Sequence, residues 1–128
     1  MGNPAIDLII RLKNGYMARK EIIESPYSRM REKILMKLIS LKIIKSYKIE
    51  GDQPQKIKIE LLYKNKQPVL SDVRIYSRPG SRHYVSYRDL KPVLSGYGFS
   101  LISTSKGIIT DKEAKNQKLG GELLFSIW

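Results

Sequence analysis

The last quarter of the chain constrains the fold more than any other stretch. Apolar residues over 99–102 predict a strand that leads into Ser103-Thr104-Ser105-Lys106-Gly107. Thr110 and Glu113 have the spacing of a capping box, which predicts a short helix over residues 111–117. Gly120-Gly121 then turns the chain into a last strand over residues 122–128. A strand, a hydroxyl-rich turn, a short helix and another strand therefore follow one another closely.

The charge balance indicates the class of partner. The chain has 24 Lys and Arg against 12 Asp and Glu, a formal net charge of +12 with a pI of about 9.9. Such a pI is typical of nucleic-acid-binding domains, so we expect a polyanionic partner. We expect no membrane partner, because basic residues occur in every segment and no apolar run approaches the ~20 residues of a transmembrane helix. The absence of Cys excludes disulfides, zinc ribbons and thiol catalysis.

The chain begins with the pattern of an amphipathic helix over residues 1–16. Asn3 is the expected N-cap, Pro4 the first helical residue and Gly15 the end of the helix. The apolar residues Ala5, Leu8, Ile9 and Leu12 recur at the spacing of one buried face. We expect this helix to leave no spare segment for a cleaved targeting peptide.

A second helix is predicted over residues 29–41, after a turn at residues 25–28. Ser28 is its expected N-cap. Tyr27, Ser28, Arg29 and Arg31 gather where free backbone N–H groups and the helix dipole favour an anion. Capping alone would also explain Ser28, so both interpretations remain open here.

The middle of the chain predicts short strands and turns. Apolar residues alternate with charged ones over residues 56–63, and turn residues at 50–54 predict a hairpin with a strand over 43–49. Pro79-Gly80 predicts a type II turn between extended segments over residues 73–76 and 82–85, and a turn of helix is expected within residues 89–95. The break at residues 65–68 predicts two halves, an N-terminal α/β subdomain (1–66) and a mainly β subdomain with a short helix (67–128). The expected fold class is α+β.

The residues predict binding and not catalysis. His83 is the only histidine, and neither a metal-ligand cluster, a Walker-type phosphate loop nor a nucleophile with a matching base is present. We therefore expect no catalytic residue, metal, cofactor or small-molecule substrate. The hydroxyl cluster at residues 103–105 with Lys106 offers short donors suited to phosphate and ribose, and Gly107 allows close approach of the backbone. The alternative is that these residues only form a turn.

The order of these motifs resembles a known family. The stretch from Ser103 to Ala114, followed by Gly120-Gly121-Glu122, is similar to the C-terminal signature of the protein-eight family of the small ribosomal subunit, in its bacterial and organellar form. Asn3-Pro4 and the segments 25–29, 77–80 and 96–98 occur in the same order as in that family. The resemblance covers essentially the whole chain.

The resemblance implies two small α/β halves that bind the central domain of small-subunit rRNA early in assembly, beside neighbouring ribosomal proteins. It assigns RNA contacts in the C-terminal half to Ser103, Thr104, Ser105, Lys106 and Gly107, with Tyr84 packed nearby and Glu122 accepting hydrogen bonds. It assigns a second backbone contact to Tyr27, Ser28 and Arg29. The implied location is the ribosome of a bacterial cytoplasm or of an organelle, either a mitochondrion or a plastid.

Three alternatives stay open at this point. The same surface would serve a translational repressor that binds an rRNA-like site in mRNA. A small RNA-processing enzyme is also conceivable, although no catalytic set supports it. Glu122 has a purely structural alternative, as a strand-start residue paired with a nearby Lys.

The chain departs from the family pattern at two predicted helix ends. Lys42 and Lys118 occupy positions where glycine is usual. Each lysine must adopt left-handed geometry, or its helix must end in another way. Ser126 replaces an aromatic residue near the end of the chain.

Overall fold

The fold was analysed in a computed structural model that describes residues 3–93 and 96–128. The chain divides into two compact units, one of Asp7–Ser71 and the other of Asp72–Trp128 with the described residues up to Ile6. Helices and antiparallel sheets are mixed, which confirms the α+β class. The division into subdomains 1–66 and 67–128, which was made from the sequence, stays a prediction.

The described residues form three α-helices, α1 (Pro4–Met17), α2 (Arg29–Ser40) and α3 (Asp111–Gln117). Their predicted N-caps are confirmed: Asn3 Oδ1 accepts from the Ala5 N–H at 2.8 Å, and Ser28 Oγ accepts from the Arg31 N–H at 3.1 Å. Thr110 and Glu113 form both bonds of the capping box. None of these helices combines the length and the apolarity that crossing a bilayer requires.

The predicted buried face of α1 is confirmed, but its predicted end is wrong. Ala5, Leu8, Ile9 and Leu12 are all buried. The helix runs past Gly15 to Met17, because glycine here serves packing and not termination. A Cβ at position 15 would lie 2.6 Å from Cγ2 of Ile23, so the missing side chain lets the strand that contains Ile23 lie against the helix.

The unit of residues 7–71 contains a three-stranded sheet. Its strands are β1 (Ile22–Pro26), β2 (Ile44–Glu50) and β3 (Lys56–Leu61), in the order β1-β3-β2. The predicted hairpin of β2 and β3 is confirmed. Sequence reasoning missed β1 and assigned residues 25–28 to a turn, because burial alternates along the strand whereas residue type does not: Ile22 is apolar but exposed, and Ser25 is polar but buried. Part of the predicted break forms a small hairpin, β4 (Tyr63–Lys64) with β5 (Gln67–Pro68).

The C-terminal unit is organised around its last strand. Its strands are β6 (Val73–Ile75), β7 (Tyr84–Val85), β8 (Phe99–Thr104), β9 (Gly107–Thr110) and β10 (Gly121–Ile127). β10 pairs with β8 on one side and with β6 and β7, end to end, on the other, and β9 pairs with β8. Gly80 has a φ of 82°, as the predicted type II turn requires.

The helical turn expected within residues 89–95 is misplaced. A short 3-10 turn occupies Tyr87–Asp89, where Ser86 caps the Arg88 N–H. Leu90 then enters the core instead of continuing the helix, and Pro92 cannot donate a helical hydrogen bond. Residues 94 and 95 of the predicted turn lie outside the described residues.

All three helices end in a Schellman motif whose left-handed residue is a cation. At the end of α2, the Ile43 N–H donates to the Leu38 carbonyl at 2.9 Å. The Lys42 N–H donates to the Ile39 carbonyl at 2.9 Å. Arg19, Lys42 and Lys118 have φ values of 54°, 59° and 56°. Lys42 and Lys118 therefore take the left-handed conformation that glycine takes at no steric cost.

Arg31 is withdrawn from the helix surface into a partly buried ion pair. Its Nη1 donates to Asp7 Oδ2 at 2.6 Å and to Ser25 Oγ at 2.8 Å. Partial burial raises the pKa of Asp7, but hydrogen bonds from Arg11 and Arg31 outweigh that effect and hold the pKa below its ordinary value. Arg31 thus ties α2 to α1 and β1, and the sequence-based grouping of Arg31 with an anion site is wrong.

Replacing Lys42 by glycine tests the cost of the left-handed helix ends. We expect Lys42→Gly to raise the free energy of unfolding by about 1 kcal/mol, because glycine adopts this φ without a Cβ clash. Lys42→Ala is the matched control, since it removes the charge but keeps Cβ. Denaturant titrations in which Lys42→Gly is no more stable than Lys42→Ala would contradict this explanation.

The Asp7 pair predicts a pH dependence of stability. Because the folded-state pKa of Asp7 is lowered, its contribution is present above the unfolded pKa of about 4 and is lost as the pH falls through the folded value. We expect Asp7→Asn to be less stable than wild type at neutral pH, with the difference shrinking below about pH 4. A difference that stays constant down to about pH 2 would exclude the charged pair as its source.

Candidate nucleic-acid interface

Three predicted site residues form a row across neighbouring strands. Glu122 at the start of β10 lies directly opposite Tyr84 of β7 on one side and Ser103 of β8 on the other. Directly opposed residues in an antiparallel sheet point to the same face. Tyr84, Glu122 and Ser103 therefore share one face at one end of the sheet.

This row lies on the face of the sheet that faces away from α3. The next residues along the strands, Ile102 and Leu123, are buried in one cluster with Ala114 of α3. Because successive side chains alternate between faces, Ser103 and Glu122 point to the opposite side. Tyr84 is 71% exposed there. The row is thus accessible to a large partner chiefly at Tyr84.

The hydroxyl-rich turn extends beyond the row and orders itself internally. Ser105 and Lys106 form the turn between β8 and β9, and both are exposed. Thr104 Oγ1 donates to the Gly107 carbonyl at 2.8 Å and accepts from the Lys106 N–H at 3.1 Å. Gly107 has a φ of 107°, which an L residue adopts only with strain. Thr104 and Gly107 therefore shape the turn that presents Ser105 and Lys106.

Glu122 is held in place by an arginine that the sequence analysis did not select. Arg82 Nη1 lies 3.3 Å from Oε1 and 3.2 Å from Oε2 of Glu122. The Glu122 side chain is 12% exposed and that of Arg82 is 52% exposed. The structural alternative for Glu122 in the sequence analysis named a nearby lysine as its ion-pair partner, whereas the observed partner is Arg82. Arg82 could have been selected from the sequence as a residue of this face, because it lies two residues before Tyr84 in a predicted extended segment. Residues at that spacing point to the same face.

The Gly120-Gly121 pair lets the backbones meet beneath this face. A Cβ at position 120 would lie 2.6 Å from the Val85 carbonyl oxygen, and one at position 121 would overlap the Ser103 carbonyl oxygen. Because the obstructing atoms belong to the backbone, a side chain could not be accommodated by a rotamer change. The two glycines therefore allow β10 to enter between β7 and β8.

The second predicted group, Tyr27, Ser28 and Arg29, lies in the other unit at the start of α2. The Tyr27 hydroxyl donates to Glu32 Oε1 at 3.1 Å, and Tyr47 donates to Glu32 Oε2 at 3.0 Å. The hydrogen bond to Glu32 is the main cause that raises the pKa of Tyr27. The Ser28 hydroxyl accepts the capping bond, whereas Arg29 is exposed. Arg29 is the group there whose charge faces solvent.

The chemistry of the C-terminal face is that of binding. Ser103, Ser105, Lys106 and Arg82 supply hydrogen-bond donors and positive charge, and Tyr84 supplies an exposed ring. Residues 3–93 and 96–128 contain no group of three or more acidic or His side chains that could hold a metal. His83 is exposed, with its ring 5.6 Å from that of Tyr76. Such a face suits a phosphate and ribose backbone.

Comparison with known proteins agrees with the sequence resemblance. Residues 3–128 match the family described as Ribosomal protein S8. The chain is 45% identical over 127 residues to the small ribosomal subunit protein uS8 of Dictyoglomus thermophilum, with 98% of this chain and 97% of that protein covered.

More distant bacterial relatives with the same name align over nearly their full length. The protein of Wigglesworthia glossinidia brevipalpis is 40% identical, with 97% of this chain and 95% of that protein covered. The protein of Mycoplasmopsis synoviae is 38% identical, with 98% and 97% covered. A family match over nearly every residue, with relatives this similar along their whole length, means that the chain belongs to the ribosomal protein S8 family, a family of structural ribosomal proteins and not of enzymes.

Proposed function

We propose that the chain is a structural constituent of the small ribosomal subunit and that it binds rRNA directly through the end of its C-terminal sheet. The observation that carries this proposal is the exposed Ser105-Lys106 turn beside the row of Tyr84, Glu122 and Ser103, on the sheet face away from α3. The formal charge of +12 supplies the long-range attraction to a polyanion. The uS8 relatives carry the name of a small-subunit protein, which supports the assignment.

We further propose that the rRNA target is a helical element of the central domain, bound early in assembly beside other small-subunit proteins. The location is then the ribosome of a bacterial cytoplasm, as the bacterial relatives favour, or of an organelle. These finer assignments come from the family resemblance. The exposed turn and the row of Tyr84, Glu122 and Ser103 support RNA binding.

The geometry of the face favours RNA over DNA. An A-form helix has a wide, shallow minor groove lined with 2′-hydroxyls, which short Ser side chains on a sheet edge can reach. Lys106 and Arg82 then supply attraction to phosphates, while the hydroxyls supply register. Glu122 also has a role in this scheme that needs no direct contact with RNA, because it holds the Arg82 guanidinium by an ion pair. Both carboxylate oxygens of Glu122 accept from Arg82, so a base amine or a 2′-hydroxyl would donate to their remaining lone pairs.

A second contact is proposed at the start of α2. Tyr27 and Ser28 have their hydroxyls engaged within the protein, so their role is to shape this end of the helix. Arg29 supplies the charge, next to backbone N–H groups at the helix N-terminus. We propose that Arg29 binds a phosphate and carries no sequence information.

Removing charge or a hydroxyl at the turn tests the proposed face. We expect Lys106→Ala and Ser105→Ala each to weaken binding to a short central-domain rRNA hairpin by about five- to tenfold. Lys106→Ala also lowers the slope of log affinity against log salt by about 1, because one phosphate contact is lost. Lys64→Ala is the control, since Lys64 is equally exposed but lies in the other unit. If both variants bind like wild type while the hairpin binds the wild type specifically, the site assignment fails.

The internal bonds of Thr104 predict a separate effect on the order of the turn. Thr104→Val removes the hydroxyl that links Lys106 and Gly107, whereas Thr104→Ser keeps it. We expect amide hydrogen exchange at Lys106 to become about fivefold faster in the valine variant alone, since the hydrogen bond that the Lys106 N–H donates, worth about 1 kcal/mol, is lost. RNA affinity should fall in the same variant. Equal exchange in the two variants would show that Thr104 does not order the turn.

A further inference from the structure

β1 is the outer strand of its sheet, and the register determines which of its backbone groups point outward. β1 pairs antiparallel with β3, with Ile23 opposite Ile59. The Leu61 N–H donates to the Glu21 carbonyl at 2.9 Å, and the Tyr27 N–H donates to the Gln55 carbonyl at 3.1 Å. Hydrogen-bonded and non-bonded pairs alternate in such a ladder. Residues 21, 23, 25 and 27 therefore bond to β3, and Ile22, Glu24 and Pro26 direct their backbone groups away from it.

The outward edge is closed at one end and open at the other. Pro26 has no N–H, and its carbonyl accepts from Ser25 Oγ at 3.0 Å. The Glu24 carbonyl accepts from Arg11 Nη1 at 3.2 Å. Among the described residues, no hydrogen bond reaches the N–H or carbonyl of Ile22 or the N–H of Glu24. Two donors and one acceptor are thus free at strand spacing.

A groove of about 660 Å³ follows this open edge between β1 and the second half of α1. The charged residues that line it are Arg11, Lys20 and Lys58 against the single carboxylate of Glu24. Ile22 is 55% exposed and adds apolar surface next to the free backbone groups. Arg11 is paired with Asp7 and Lys58 with Glu50, which leaves Lys20 as the lining cation without an ion pair among the described residues. The groove therefore combines a strand edge, an apolar contact and one available positive charge.

We propose that the open half of β1 accepts an extended, acidic segment of a neighbouring protein as an additional strand. An added strand uses donors and acceptors alternately, as Ile22 and Glu24 offer them, and its side chains would contact Ile22. RNA phosphates only accept hydrogen bonds, and the sugar hydroxyls of RNA would not cover the exposed apolar side chain of Ile22. Lys20, which lies at the open end of the edge, favours a segment that carries carboxylates. The proposal rests on the proposed function in one respect: the neighbour belongs to the particle into which the chain assembles.

Photo-crosslinking from position 22 identifies what occupies the edge. The chain with p-benzoylphenylalanine at position 22 is incorporated into small ribosomal subunits in cells, the purified subunits are irradiated, and crosslinked species are identified by mass spectrometry. We expect a crosslink to an acidic segment of another protein. The same label at position 36, another exposed apolar site, is the control for non-specific capture.

A proline substitution tests the backbone pairing itself. Glu24→Pro removes an outward N–H that the ladder to β3 does not use, and Pro26 already occupies the equivalent outward position. We expect the position-22 crosslink to fall about tenfold with Glu24→Pro and to stay within about twofold with Glu24→Ala, which keeps the N–H. If Glu24→Pro does not fold, the crosslink from the chain without either substitution still tests whether a protein segment occupies the edge.

The outcomes separate this inference from the proposed function. Subunits that contain the chain but give crosslinks to rRNA alone, or none, would overturn the added strand and leave the function intact. Equal crosslinking in the folded Glu24→Pro and Glu24→Ala variants would also overturn it. Absence of the unsubstituted chain from small subunits would overturn the proposed function, and the added strand with it.

Discussion

The C-terminal unit depends on how closely the backbone of β10 approaches its neighbours where that strand begins. Gly121 lies so near the Ser103 carbonyl that any side chain would overlap it, and Gly120 has the same relation to the Val85 carbonyl. This approach sets the register in which Tyr84, Glu122 and Ser103 line up across three strands. If β10 were held farther away, Glu122 would lose its pairing with Tyr84 on one side and with Ser103 on the other. The side-chain arrangement of the candidate interface therefore depends on this close packing of the backbones.

On that support, the side chains divide into those that order the interface and those that remain available. The Thr104 hydroxyl forms hydrogen bonds within the turn, and the Glu122 carboxylate pairs with Arg82. Ser105 and Lys106 remain exposed. Because the Arg82 side chain is half exposed, its pair with Glu122 contributes little stability and matters mainly for where it holds the guanidinium. The result is a shallow, cationic, hydroxyl-bearing face, which matches an RNA backbone better than a small ligand.

Local signals were sufficient to predict the helices and most of the long strands, and non-local contacts explain what was missed. Ser28 and the Thr110 capping box marked the starts of α2 and α3 correctly, because a cap is a property of neighbouring residues. β1 is a strand because it pairs with β3, and the pattern of its five residues does not indicate that pairing. The partner of Glu122 could not be chosen from sequence either, since Arg82 is brought to it by the pairing of β7 with β10. Most residues of the candidate site could therefore be named from the sequence, whereas Arg82 was missed and the internal hydrogen bonds and ion pair could not be predicted.

The most direct test of the central claim is a density map of the small ribosomal subunit that contains this chain. Our account predicts that residues 103–107 lie within hydrogen-bonding distance of the shallow groove of an rRNA helix, with Tyr84 and Arg82 against the same helix and α3 on the far side of the sheet. A map in which rRNA contacts the α3 face, while Ser105 and Lys106 face solvent or another protein, would contradict it.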